Sequence, residues 1–435
     1  MLGFVALSLA VVIVIPWLLV SPEDLTKEQL LEARNGIRST LLQAIAGLAV
    51  GSGAIVAWRK LQDEREAGVK QRELEREGQI TDRLTHAIDQ LGSEKLQVRI
   101  GGMFALERIA RDSARDQDAI VEVLTAFVRE QAPLRPELDN RSHEDTDARP
   151  PADVQAALTV LARRAPDNDS PNLELHLNDC SLANAVLFDA ALEGAWLHRT
   201  CLAKAGLARA HLNDARLISS HLEGADLRNA ELRKADLTSV HLQGANLTGA
   251  DLTEAKVPHD ALRGAKLNHA NLQRIQIGNA HWPSASLVGA TLDGAAIFEG
   301  DLTAAHLQGA SLVGARLQSV NLDGARMDFI NELDWQMSGG NGQPRRTSLR
   351  GADLRGSTLR RANLCFADLR GVVVDGTDFT EADLGGADLR GVDLSRALGL
   401  TAPQIHGGTT WFNAPPIVDE ETKLPPFPLD EEDPE

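Results

Sequence analysis

The chain has 435 residues, a formal net charge of −18 and three cysteines. An odd number of thiols, scattered along the chain, fits a reducing compartment and argues against a disulfide-built fold. No P-loop, dinucleotide fingerprint, HExxH or GxSxG occurs, so neither an enzymatic activity nor a cofactor is expected.

Two uncharged stretches come first, LGFVALSLAVVIVIPWLLV at 2–20 and STLLQAIAGLAVGSGAIVAW at 39–58. Each has about the 20 residues needed to cross a bilayer core. A secretory leader competes for the first, but no basic segment precedes it and no A-x-A site follows. A buried core helix competes for the second, because Gln43 and three glycines weaken it. A transmembrane helical hairpin over 1–58 is the expectation, with Gly47 and Gly51 as a close-packing pair. Residues 59–76 carry six Lys/Arg against three in the linker 21–38, which places both termini on the cytoplasmic side.

Residues 59–131 read as an α-helical region. Two amphipathic segments, VRIGGMFALERIARDS and DQDAIVEVLTAFVREQAP, are separated by a turn near Ser113. Ile100, Phe104 and Ile109 are expected to meet Ile120, Leu124 and Phe127, as in a single HEAT-like hairpin. A Pro-, Asp- and Arg-rich linker follows at 132–150. The helix PADVQAALTVLARR, with Val154, Leu158 and Leu161 on one face, begins an N-terminal cap over 151–176.

From Leu177 to Met327 an apolar residue stands at every fifth position, 31 times. Three residues after each centre the side chain is small: 22 of the 29 such positions from Ala185 to Ala325 are Ala. The frame breaks at 328–348, where Phe329, Leu333 and Trp335 precede SGGNGQPRR, and resumes for ten repeats from Leu349 to Leu394. That break reads as either a distorted coil or an external loop, and it is the expected place for a partner site. Five is neither the period of a helix nor that of an ordinary strand. A chain turning a corner after each pentapeptide closes a square in four repeats, with one large and one small side chain inward from each. Glycines two places after the centre, such as Gly224, Gly244 and Gly386, suit the positive φ of a type II turn. Coils spaced by strand pairing, about 4.8 Å apart, give a rod roughly 50 Å long for 41 repeats. After 400 a C-terminal cap and an acidic disordered tail, over 401–435, are expected.

Units such as Ala225-Asp226-Leu227 and Ala245-Asn246-Leu247 resemble the pentapeptide-repeat family. The resemblance implies a mainly β fold, a right-handed quadrilateral β-helix over 177–400, preceded by an α-helical region with two predicted transmembrane helices. The order of membrane hairpin, helix pair and rod is similar to that of a group of bacterial membrane-associated pentapeptide-repeat proteins. It implies the inner (plasma) membrane, with the repeat domain cytoplasmic. The expected function is a non-enzymatic scaffold for protein–protein interaction with an unknown protein partner.

The alternative implied by the family is a DNA-mimicking topoisomerase modulator. The rod argues against it: residues 177–400 carry 26 Asp/Glu and 22 Lys/Arg, a net of only −4, so nucleic-acid mimicry and nucleic-acid partners are not expected. One column invites metal chemistry. Cys201, His221 and His241 lie 20 residues apart before successive centres, about one coil spacing from each other. The column continues into Ala261, which offers no ligand, so a plain surface ladder is the expectation and no metal site is assigned.

Overall fold

The computed structural model describes residues 2–20, 26–134, 149–171, 173–341, 345–406 and 414–427. They belong to two units, 1–82 and 83–435. The first contains α1 (Leu2–Leu19) and most of α2 (Lys27–Leu91). The linker expected over 21–38 is helical from Lys27 onward, because KEQLLEAR is built of strong helix formers. No proline interrupts α2, so it runs from the apolar stretch into the charged one without a stop. Arg34 donates from Nη2 to the Val20 carbonyl at 3.3 Å, and its guanidinium lies 5.4 Å from the Trp17 ring. Among the described residues, one helix, α2, contains a stretch long and apolar enough to cross a membrane, and none of that stretch is buried. A shorter apolar stretch spans Ala10–Leu19. Among the described residues nothing packs on the expected close-packing glycines: a Cβ added at Gly47 or Gly51 would meet nothing within 4 Å.

In the second unit, α3 (Leu96–Asp112), α4 (Gln117–Gln131) and α5 (Ala152–Ala162) pack on one another. Ile109, Ile120, Leu124 and Phe127 are buried as the sequence suggests, but Phe104 is exposed. Met103 and Leu106 fill the core in its place. The reason is that α3 has several partners rather than one. Gly102 lies so near the end of α2 that a Cβ there would stand 2.8 Å from the Ala87 carbonyl. Asp153 of α5 receives Arg99 of α3 at 2.6 Å, and Val154, Leu158 and Leu161 are buried. Gln155 then exchanges two hydrogen bonds of 2.9 Å with the Val186 backbone, which fastens the helices to the first coil. The start of the expected linker also belongs to this junction. Pro133 pairs antiparallel with Cys180, and Leu134 donates to the Asp179 carbonyl at 2.6 Å. The rest of it, 135–148, lies outside the described residues.

The repeats form coils of 20 residues. Most residues before a centre pair in parallel with their equivalents one coil on, as in Asp226 with Asn246. The Asn246 N–H donates back to Ala225 O at 2.9 Å, while Leu227 N–H donates forward to Asn246 O at 2.8 Å. Within the repeat, Ala230 N–H closes a turn onto Leu227 O at 3.0 Å. The bridging segments are so short that, among the described residues, only β1 (Gln276–Gly278) and β2 (Ala296–Phe298) extend to strands of three residues, and these pair in parallel. The centres and small positions are buried from Leu177 to Leu394. One in-frame repeat is distorted nonetheless. Asp260 falls at a small inward position, where an unpaired carboxylate would be costly to bury. The chain loops through Pro258 to Gly264 so that Ala261 is buried instead and Asp260 is exposed.

The break at 328–348 is an external loop and not a distorted coil. Ser311 pairs with Ser348 and Arg326 with Asn363, steps of 37 in place of 20, so 17 extra residues leave the rod while its ladder continues. At the far end α7 (Ala402–His406) buries Ile405, and Gln404 donates to the Phe379 and Ala382 carbonyls at 3.0 and 2.9 Å. The stretch expected to form a cap and a disordered tail is ordered at least as far as its pairing with the ladder. Ile417 pairs with Asp388 and Lys423 with Asp393, extending two sides of the ladder. Residues 428–435 lie outside the described residues.

Candidate functional site

The outward columns of the rod are dominated by self-paired charge. Asp before a centre and Arg after it form repeated short pairs: Asp226 with Arg228 at 2.7 Å, and Asp353 with Arg355, Asp368 with Arg370 and Asp388 with Arg390 at 2.6 Å. Others reach the next coil, as Lys256 does to Asp236 at 3.1 Å. The Arg355 hydrogen bond holds the Asp353 carboxyl at about 2, and the Arg370 and Arg390 bonds lower Asp368 and Asp388 in the same way. These exposed pairs contribute little to stability individually. Their effect on recognition is larger, because a ladder of neutralised carboxylates presents no continuous negative stripe.

Against this background one face is unusual. The 17-residue insertion forms an arm containing α6 (Glu332–Met337), started by Asn331, whose side chain accepts from the Asp334 N–H at 2.8 Å. Trp335 turns inward and buries itself with Ile330 against Val288, an outward-facing rod residue. Its ring meets His269 edge-on at 4.6 Å, and His269 Nε2 lies 2.8 Å from Ser338 Oγ. Two glycines make the landing possible. A Cβ on Gly289 or Gly309 would stand 2.9 or 2.7 Å from the indole. The opposite side of the arm is apolar and open: Phe329, Leu333 and Met337 are 51%, 68% and 81% exposed. Beside it a groove of about 590 Å³ is lined by Arg228, Thr248, His269, Trp335 and Arg345 among others. Sequence reasoning located the break and its aromatic residue, but not the coils on which it would land.

Burial, with the charge of Arg345, holds the His269 imidazole below its ordinary value of 6.5. An undocked His269 takes up a proton that the docked one refuses, so docking of the arm is full above about pH 6.5 and weakens as pH falls below it. Hydrogen exchange over 332–337 is expected to accelerate between pH 7.5 and 5.5, after correction for intrinsic rates. His269→Gln should flatten that dependence.

The Cys201, His221 and His241 column is stacked through its backbone, since Cys201 pairs with His221 and His221 with His241. Only the imidazoles face outward together. Their rings are parallel to 3° with centroids 4.7 Å apart. Cys201 is buried with Ala183 and Ala203 beneath Leu134, and burial raises its thiol. Glu223, which the sequence did not single out, joins the histidines: its Oε1 lies 3.0 Å from His221 Nδ1.

Eight copies of the family model described as pentapeptide repeats match the chain, over 205–244, 230–275, 301–331 and 357–396. Solved structures of similar proteins include HetL, a pentapeptide repeat protein involved in heterocyst differentiation regulation in the cyanobacterium Nostoc. It is 33% identical over 49% of this chain and 86% of its own, with a TM-score of 0.22. A pentapeptide repeat protein of the Arabidopsis thaliana thylakoid lumen is 24% identical over 30% of this chain and 70% of its own, with a TM-score of 0.14. QnrB1, a plasmid-mediated fluoroquinolone resistance protein, is 14% identical over 48% and 87%, with a TM-score of 0.21. No curated protein matches the chain.

Proposed function

Because the chain belongs to the pentapeptide-repeat family, we propose that it is a non-enzymatic scaffold, anchored in a bacterial inner membrane, whose rigid β-helix presents the arm at 328–346 to a protein partner in the cytoplasm. The observation that carries this reading is the arm itself: one side clamps it to the rod through Trp335, and the other exposes Phe329, Leu333 and Met337. An exposed cluster of three large apolar side chains beside columns of paired charge is the kind of patch that protein partners cover. The anchor is supported by the unburied apolar stretch of α2, by the apolar α1, and by the basic residues that follow Trp58. DNA mimicry is disfavoured by the Asp–Arg ladder, which neutralises the carboxylates such a mimic must leave uncompensated.

Two measurements test the reading separately. For the anchor, the full chain should resist carbonate extraction and require detergent, and a reporter active only in the cytoplasm should work when fused at Glu435. Release by high salt alone would remove the anchor. For the arm, photo-crosslinking from position 333 in intact cells should give a discrete protein adduct. The same probe at Gln243, on a bare side of the rod, should not. Equal labelling from both positions would remove the arm as the docking feature.

A further inference from the structure

The second face of interest carries chemistry that scaffolding does not require. The parallel pairing of His221 with His241 brings two imidazoles into register on adjacent coils, 4.7 Å apart. Glu223 lies at their edge. One of its carboxylate oxygens, Oε1, approaches His221 Nδ1 at 3.0 Å; the other, Oε2, is buried with no hydrogen-bond partner among the described residues. One donor atom from each of the three residues can be chosen so that all lie within 4.8 Å of one another. We propose that His221, Glu223 and His241 bind a single divalent first-row transition metal ion, with zinc the best fit.

The chemistry follows from the donor set and its spacing. Zinc takes His nitrogen and carboxylate oxygen at about 2.0–2.2 Å in tetrahedral geometry, which places neighbouring donors about 3.3 Å apart. The His221–Glu223 separation is already close to that value. His241 is exposed, so its ring can turn to close the remaining gap. Two imidazoles and one carboxylate suit zinc better than calcium or magnesium, which favour oxygen ligands. An ion here would give the orphaned Oε2 environment a counter-charge and would link two successive coils. A groove of about 710 Å³, lined by Ser219, Ser239 and Arg199 as well as the histidines, adjoins the three donors.

The site differs from the column visible in the sequence by exchanging a thiol for a carboxylate, and that exchange makes it testable. Full-length protein purified in detergent and stripped with chelator is titrated with Zn²⁺ by calorimetry and with Co²⁺ by visible absorption. One ion per chain is expected, with cobalt bands of a low-coordinate nitrogen/oxygen site. His221→Asn and Glu223→Gln should each abolish stoichiometric binding while leaving the metal-free melting curve unchanged, and Cys201→Ser should bind as the wild type does. In the wild-type chain, which needs no variant to fold, Zn²⁺ should protect His221 and His241 from carbethoxylation mapped by mass spectrometry. Binding that survives both His221→Asn and Glu223→Gln, a cobalt–thiolate band lost in Cys201→Ser, or no stoichiometric uptake with both histidines equally reactive would each overturn the proposal.

Discussion

Replacing Leu247 by Asp is expected to unfold the rod, whereas Gln243→Asp, four residues earlier, is expected to leave its melting unchanged. Leu247 is fully buried, stacked between the centres Leu227 and Leu267 of the adjacent coils, and all three are core residues. A carboxylate there has no cation within the core to pair with, and an unpaired buried charge costs several kcal/mol. The lost leucine adds about 2–5 kcal/mol, as for truncation of a buried Leu. Together these approach the whole stability of an ordinary domain, about 5–15 kcal/mol. Each coil also buries its core only against its neighbours, so damage at one level exposes the next. Gln243 is exposed and keeps its backbone bond, accepting from Gly224 N–H at 2.9 Å. Thr248 is not an equivalent control, because the arm crosses it: a Cβ on Gly339 would lie 3.0 Å from its methyl group. Circular dichroism melts of the two variants decide the matter, and equal tolerance would contradict an inward Leu247.

Gly309→Ala is expected to release the arm without melting the rod. Positive φ alone does not demand glycine on this scaffold. Lys, Arg, Asp, Ser and even Phe366 hold φ between 50° and 61° at equivalent corners. Such corners cost a non-glycine residue about 1–2 kcal/mol, and Gly314→Ala, with φ +64° and nothing within 4 Å of the new Cβ, should show that cost and no more. At Gly309 the same methyl group enters the indole of Trp335 at 2.7 Å. Displacing a buried tryptophan forfeits about 3 kcal/mol, roughly a hundredfold in the docking equilibrium. Hydrogen exchange over 332–337 should therefore approach the unprotected rate in Gly309→Ala and remain slow in Gly314→Ala, with similar melting of the rod in both. Slow exchange in both variants would mean that the indole does not hold the arm.

The architecture of the rod was legible because its period is local: two inward side chains in every five residues decide burial wherever they occur. What failed to show in the sequence depends on which coils lie side by side. The glycines at 289 and 309 look like other turn glycines until Trp335, 46 and 26 residues later, is seen against them. Glu223 was hidden for a related reason. Counting by twenties aligns His221 with His241 and Cys201, whereas the carboxylate enters from two residues along the same coil. Cys201 shares the column but is covered by Leu134, from a segment whose pairing with the first coil has no periodic signal. Phe104 misled because an isolated amphipathic pair has one buried face, whereas α3 answers to both α4 and α5.

A ladder that repeats every 20 residues is nearly symmetric under translation, since each coil offers the next a similar set of outward Asp, Arg and Thr. A partner gripping a bare side would find equivalent footholds about every 4.8 Å and could slide among them, as a nut slips on a worn thread. The 17-residue arm removes that degeneracy. It marks one level of the rod with a feature that no other coil among the described residues repeats, and so converts a ruler with identical divisions into one with an origin.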